Sequence, residues 1–189
     1  MSFLDAFLGR SRLKKPDLDP LFRLSTVQVD LESRGIRLEP VAALGLRPVE
    51  TPGFDEAMGR AISALDLYAK EHGVLTAQKP DRDGYTWVVV RGGEDGDDRI
   101  TALHMVANML GEAGFGGELL AAVFPAKDHH GDSFLLIYNY KRSTYYPFRE
   151  LPGERRDNAA EVRVQGLIEG ILPVERDLER WYALWDLPL

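Results

Sequence analysis

Between Thr51 and Gly73 the apolar residues recur at helical spacing: Phe54, Met58, Ala61, Ile62, Leu65, Tyr68 and Ala69 share one face at about 3.6 residues per turn. Thr51 or Asp55 can cap the start of this helix, and Gly73 ends it. One apolar face requires a surface to cover, and "GYTWVVVRGG" supplies a strand of it. There Tyr85, Trp87 and Val89 project one way and Thr86, Val88 and Val90 the other, so both faces are apolar and the strand is an inner one. A second helix is expected from Asp97 to Ala113, with Ile100, Leu103, Val106, Ala107 and Leu110 as its buried stripe and Gly114 as its stop. Met105 and Met109 broaden that stripe, either filling the core or offering a soft patch to a partner. "ELLAAVF" and "SFLLIYNY", joined by the polar turn "PAKDHHGD", read as an antiparallel hairpin.

Ahead of these elements, Asp19 and Pro20 open a short helical turn, and "VQVDLE" and "IRLEPV" alternate as strands do, with Gly35 turning between them. Behind them comes a helix at about Asp157 to Gly170, striped by Ala160, Val164, Leu167 and Ile168. It is followed by "DLERWYALW", in which Trp181 and Trp185 stand four apart on one helical face. This order predicts an α+β fold: an antiparallel or mixed sheet with helices packed mainly on one face. Residues 16–189 read as a single domain and residues 1–15 as an appended arm.

Charge narrows the function. With 23 Lys+Arg against 30 Asp+Glu the net charge is -7, which opposes attraction to a phosphate backbone, so no nucleic-acid partner is expected. The absence of cysteine excludes disulfides, a thiol nucleophile and thiolate metal sites. The start "MSFLDAFLGR" lacks the pattern of a secretory leader, and no apolar stretch reaches the length of a membrane span; the expected location is the cytoplasm. In the arm, Phe3, Leu4, Phe7 and Leu8 recur at helical spacing ahead of Arg10, Arg12, Lys14 and Lys15. Such a segment docks on its own domain or a neighbouring subunit, or touches an anionic membrane surface, although Asp5 opposes the latter.

Catalytic and metal chemistry is sparsely signalled. "GEAGFGG" closes a helix and opens a strand, the reverse of a dinucleotide-binding turn. Glu94, Asp95, Asp97 and Asp98 lack the alternation of a calcium loop, and Asp97 or Asp98 serves better as a helix cap. His129 and His130 with Asp132 are weak metal candidates, because neighbours on a tight turn rarely aim at one centre. No "GxSxG", "HExxH" or P-loop occurs, and no cofactor is expected. An enzyme would need a pocket between sheet and helices, around His104 or the His129–His130 turn.

The strongest remaining feature is "IYNYKRSTYYPF" together with the charged residues after it. Phe134, Leu136, Tyr138 and Tyr140 share one strand face, where the rings can be buried with their hydroxyls reaching water. Lys141, Arg142, Arg149, Arg155 and Arg156 then form a local excess of cations in an acidic chain. Either these cations are answered internally by Glu154, Asp157 and Glu161, or, with Tyr145 and Tyr146, they make a recognition edge for an acidic partner.

The strings "MSFLDAFLGR", "KKPDLDPLF", "GYTWVVVRG", "TALHMVANMLGEAGFG", "YKRSTYYPF", "ERRDNAAEV" and "LPVERDLERWYALW" together resemble the actinobacterial PspA-associated protein PspAB family. The resemblance covers both ends and nearly everything from Gly84 onward. It implies a non-enzymatic accessory role in a phage-shock-type envelope stress response. The implied partner is PspA, a coiled-coil protein working at the inner face of the plasma membrane.

Overall fold

A computed structural model describes residues 19–93 and 96–189. Two short helices, α1 (Asp19–Thr26) and α2 (Gln28–Ser33), lead into β1 (Arg37–Leu38) and β2 (Val41–Leu46). Helix α3 (Pro52–His72), β3 (Val74–Pro80), β4 (Thr86–Gly92) and helix α4 (Gly96–Glu112) follow. Then come β5 (Leu119–Lys127), β6 (Ser133–Asn139), β7 (Thr144–Phe148), the small β8 (Glu150–Leu151) and β9 (Arg155–Arg156), and helix α5 (Asn158–Ile168). The main sheet runs in the order β3-β4-β2-β5-β6-β7, with β1 also on β5, and every pairing is antiparallel. The fold is α+β.

The helix ends obey local chemistry. Thr51 caps α3 by accepting from the Phe54 N–H, and Gly73 closes it in the left-handed conformation. Asp157 caps α5 through the Ala160 N–H. Asp97 and Asp98 lie inside the first turn of α4, where their charge suits the helix dipole. There they tie elements together: Asp97 accepts from the Gln28 side chain, and Asp98 from the Tyr68 hydroxyl.

Two cores sandwich the sheet. The larger lies under the helices and joins Leu21, Leu24, Leu65, Leu103 and Val164 to Leu44, Val88, Val90, Leu136 and Tyr138. The smaller lies on the opposite face and joins Trp87, Val89, Ile137, Tyr146 and Phe148 to Trp181 and Leu184. Helices therefore gather on one face, as expected. The alternation of β4 comes out as read, with Tyr85, Trp87 and Val89 in one core and Val88 and Val90 in the other.

Two expectations are corrected. "VQVDLE" lies largely within helix α2, because Leu21, Leu24, Val27 and Leu31 recur at intervals of three and four and reach the core together, leaving Val29 exposed. The C-terminal residues form no helix beyond one 3-10 turn at Leu178–Arg180. Residues 181–189 run as an irregular strap across the second face, with Trp181 stacked on Tyr146 and Trp185 edge-on to Phe148. The strap satisfies backbone groups piecemeal: the Tyr146 hydroxyl donates to the Tyr182 carbonyl at 3.0 Å, and Arg156 to the Trp181 carbonyl.

Candidate functional site

The cation-rich segment begins where β6 turns into β7. The Asn139 side chain accepts from the Lys141 N–H at 3.0 Å, and Ser143 takes a left-handed φ of 56°, so the chain reverses within a few residues. Strand alternation then sends Tyr145 to the helix side and Tyr146 to the strap side.

All four phenols of the hairpin are buried. Tyr138 meets Tyr140 edge-on with ring centroids 5.0 Å apart and leans on Tyr145 at the same distance. The Tyr145 hydroxyl donates to the Pro20 and Leu21 carbonyls at 3.0 and 3.1 Å, tying α1 to β7. Burial pushes the Tyr140, Tyr145 and Tyr146 phenols well above their usual range. The Tyr140 hydroxyl is buried with no hydrogen-bond partner among the described residues, and Tyr138 is 0% exposed, so the expectation that the Tyr138 and Tyr140 hydroxyls reach water is corrected. The recognition role expected of Tyr145 and Tyr146 is corrected likewise, since both are 0% exposed and serve as core.

The cations divide into two groups. Arg156 binds Glu161 through two nitrogens, at 2.9 and 3.2 Å, donates to the Trp181 carbonyl, and lies 5.2 Å from the centre of the Phe148 ring. Arg149 is held by Asp132 at 2.9 Å and faces Asp157 at 3.7 Å. These two guanidinium groups act inside the molecule. Arg142 and Arg155 are exposed and Lys141 is half-buried: Arg142 has Glu175 at a loose 3.7 Å, and among the described residues the Arg155 side chain donates only to the Pro152 carbonyl. They do not form one compact margin. The five residues of β7 separate the 140–143 turn from the β8–β9 hairpin by about 17 Å at the usual rise of a strand.

The histidines also find structural places. His129 and His130 sit ring against ring at 3.8 Å on a turn organised by Asp128, which accepts from the His130 and Asp132 N–H groups. The Asp132 carboxylate, proposed with them as a metal ligand, is engaged by Arg149. Among the described residues no group of three His, Asp or Glu side chains is arranged to hold a metal ion. A cavity of about 760 Å³ beside His129 is lined by Glu32, Arg37, Glu39 and Lys127, the last two paired at 3.0 Å. His104 packs edge-on against Phe22. Phe3, Leu4, Phe7 and Leu8 lie outside the described residues, as do Glu94 and Asp95.

The whole chain, residues 1–189, matches the family described as PspA associated protein B. The chain belongs to that family. No curated protein and no solved structure matches it. The family description indicates a protein partner related to PspA. Among the described residues no helix is long and apolar enough to cross a membrane.

One cluster in this family member had no signal in the sequence. The Tyr68 hydroxyl donates to Asp98 at 3.2 Å, His72 Nδ1 lies 3.0 Å from the same carboxylate oxygen, and the Tyr68 and His72 rings stack at 4.0 Å. Burial first, then the Asp98 charge, pushes the Tyr68 phenol up to about 12. Tyr68 and His72 are one helical turn apart on α3, but Asp98 reaches them from α4, a pairing that only the folded chain creates.

Proposed function

We propose that this chain is a non-enzymatic accessory protein of a phage-shock-type envelope stress response and that it binds PspA or a closely related partner. The observation that carries this reading is the match of all 189 residues to a family named for association with PspA. Lys141 and Arg142 on the β6–β7 turn and Arg155 on the β8–β9 hairpin are two separate contacts for acidic residues of that partner, and Arg149 and Arg156 hold the neighbouring backbone in shape from within. Charges at the rim of an interface chiefly steer association. The apolar residues Phe3, Leu4, Phe7 and Leu8 supply a second contact, with the partner or with the inner face of the plasma membrane.

Co-purification with PspA from the native cytoplasm tests the proposal. Lys141→Glu with Arg142→Glu, and separately Arg155→Glu, should lower the captured PspA several-fold, with circular dichroism unchanged. Capture that is unaffected in both variants would clear these cations of the role, and no capture by the unaltered chain would overturn the adaptor reading itself. Liposome co-sedimentation with and without residues 1–8 decides between partner and membrane for the arm.

A further inference from the structure

The C-terminal strap does not seal the second face of the sheet. Between it and the ends of β6 and β7 lies an open groove of about 330 Å³, lined by Phe134, Leu135, Phe148, Leu184, Leu187 and Leu189. Its rim is acidic. Glu150 and Asp186 line the same groove, and Glu154 stands beside them, joined to Asp186 through Arg82. Arg82 lies 3.0 Å from Glu154 and 3.2 Å from Asp186, so one guanidinium pairs with two of the three carboxylates, and these four groups together carry a net charge of about -2.

The rim is also held against its own preferences. Glu154 and Asp186 carry left-handed φ angles of 50° and 49°, uncommon for residues other than glycine, and both converge on Arg82. The backbone of Glu150 pairs with Arg156 in the β8–β9 ladder, but its carboxylate makes no hydrogen bond or ion pair among the described residues. Burial, followed by the Asp186 and Glu154 charges, holds its carboxyl above the usual carboxylate range, and Arg82 offsets this only in part.

We propose that this groove is a binding site for a small organic cation, a primary amine carried on an apolar chain, with the ammonium at Glu150 and Asp186 and the chain along Leu135, Phe148 and Leu187. A bare inorganic cation gains nothing from the apolar lining, and a neutral alcohol gains nothing from the acidic rim. Only a ligand with both parts is answered by both. The volume matches the lower end of small-molecule pockets, about 300–1,000 Å³. The site is separate from the PspA reading and does not rest on it.

Titration of the full chain with n-hexylammonium, n-hexanol and ammonium chloride, followed by backbone amide shifts in NMR, tests the proposal. Hexylammonium should shift Leu135, Phe148 and Leu187 and bind about threefold or more tighter than hexanol, the scale of a partly exposed charge pair. Glu150→Gln and Asp186→Asn should each remove most of that preference; asparagine tolerates the left-handed backbone, and both variants keep the shape of the rim. Acidification that protonates Glu150 should weaken hexylammonium and leave hexanol unchanged. Equal binding of amine and alcohol, shifts mapping elsewhere, or an undiminished preference in both variants would overturn the site. A basic peptide that binds there while hexylammonium does not would overturn it as a small-cation site.

Discussion

Arg156 and Glu161 form a two-pronged ion pair, at 2.9 and 3.2 Å, that joins the β8–β9 hairpin to the first turn of α5. Glu161 is only 2% exposed and also accepts the Arg149 backbone N–H at 2.9 Å, so its carboxylate organises both arginines. Removing Arg156 leaves that buried charge with a single neutral donor among the described residues, the Arg149 N–H. Arg156→Ala should therefore cost about 2–4 kcal/mol of stability, less than the loss from a fully buried pair because the guanidinium is partly exposed. Urea unfolding measures it; a loss no larger than that of Arg155→Ala would show that the pair is only a surface bridge.

Gly45 lies directly under Trp87. The two are cross-strand partners, and a Cβ at Gly45 would stand 2.6 Å from the indole ring. The ring cannot step aside freely, because its Nε1 donates to Asp81 at 2.8 Å and Asp81 also accepts the Asp83 and Tyr85 N–H groups. Gly45→Ala should destabilise the fold by about 1–3 kcal/mol, the range for overpacking, and change the tryptophan fluorescence of the native state. A neutral substitution would mean that β2 and β4 separate easily.

Trp181 is the anchor of the strap. It is 4% exposed, stacks on Tyr146, and donates from Nε1 to the Glu175 carbonyl at 2.9 Å. Trp181→Ala should cost about 3–5 kcal/mol and speed hydrogen exchange in residues 181–189 and in β7. Slowed or unchanged exchange there would show that the strap is held elsewhere.

The buried tyrosines give stability a definite dependence on alkaline pH. The fold favours the neutral phenol, raising Tyr68 from an ordinary 10.0 to about 12 and holding Tyr140, Tyr145 and Tyr146 well above their ordinary value, chiefly through burial. Between the ordinary value and the raised ones the unfolded chain has released protons that the folded chain retains, so stability falls as pH rises. Unfolding free energies should be level near about pH 9 and decline above about pH 10, with phenolate absorbance appearing together with unfolding. Early phenolate absorbance from all of the tyrosines in an intact fold would contradict the burial.

Helices α3, α4 and α5 and the β5–β6 hairpin were legible because each is specified locally: a periodic apolar face, a capping side chain, a glycine stop, a polar turn. The strands β2, β3 and β7 were not, since "VAALGL" is buried on both faces and shows no alternation, and edge strand β3 leaves Leu75 and Ala77 exposed. Of the cation-rich segment, the sequence established the inventory of charges and rings but not their partners. Asp132 and Glu161 meet Arg149 and Arg156 across separate elements, at distances set by how β7, the β5–β6 turn and α5 pack.

By itself, then, the chain determined its α+β class, its main helices, the two-faced character of β4 and its family. Tertiary structure alone decided which cations are spent inside the molecule, that the tyrosines are core, and that the last residues cover the second face as a strap, leaving an acid-rimmed groove. The physical reason is range. Helical periodicity and capping act over a few neighbouring residues, whereas burial and ion pairing depend on which surfaces the packed sheet brings together.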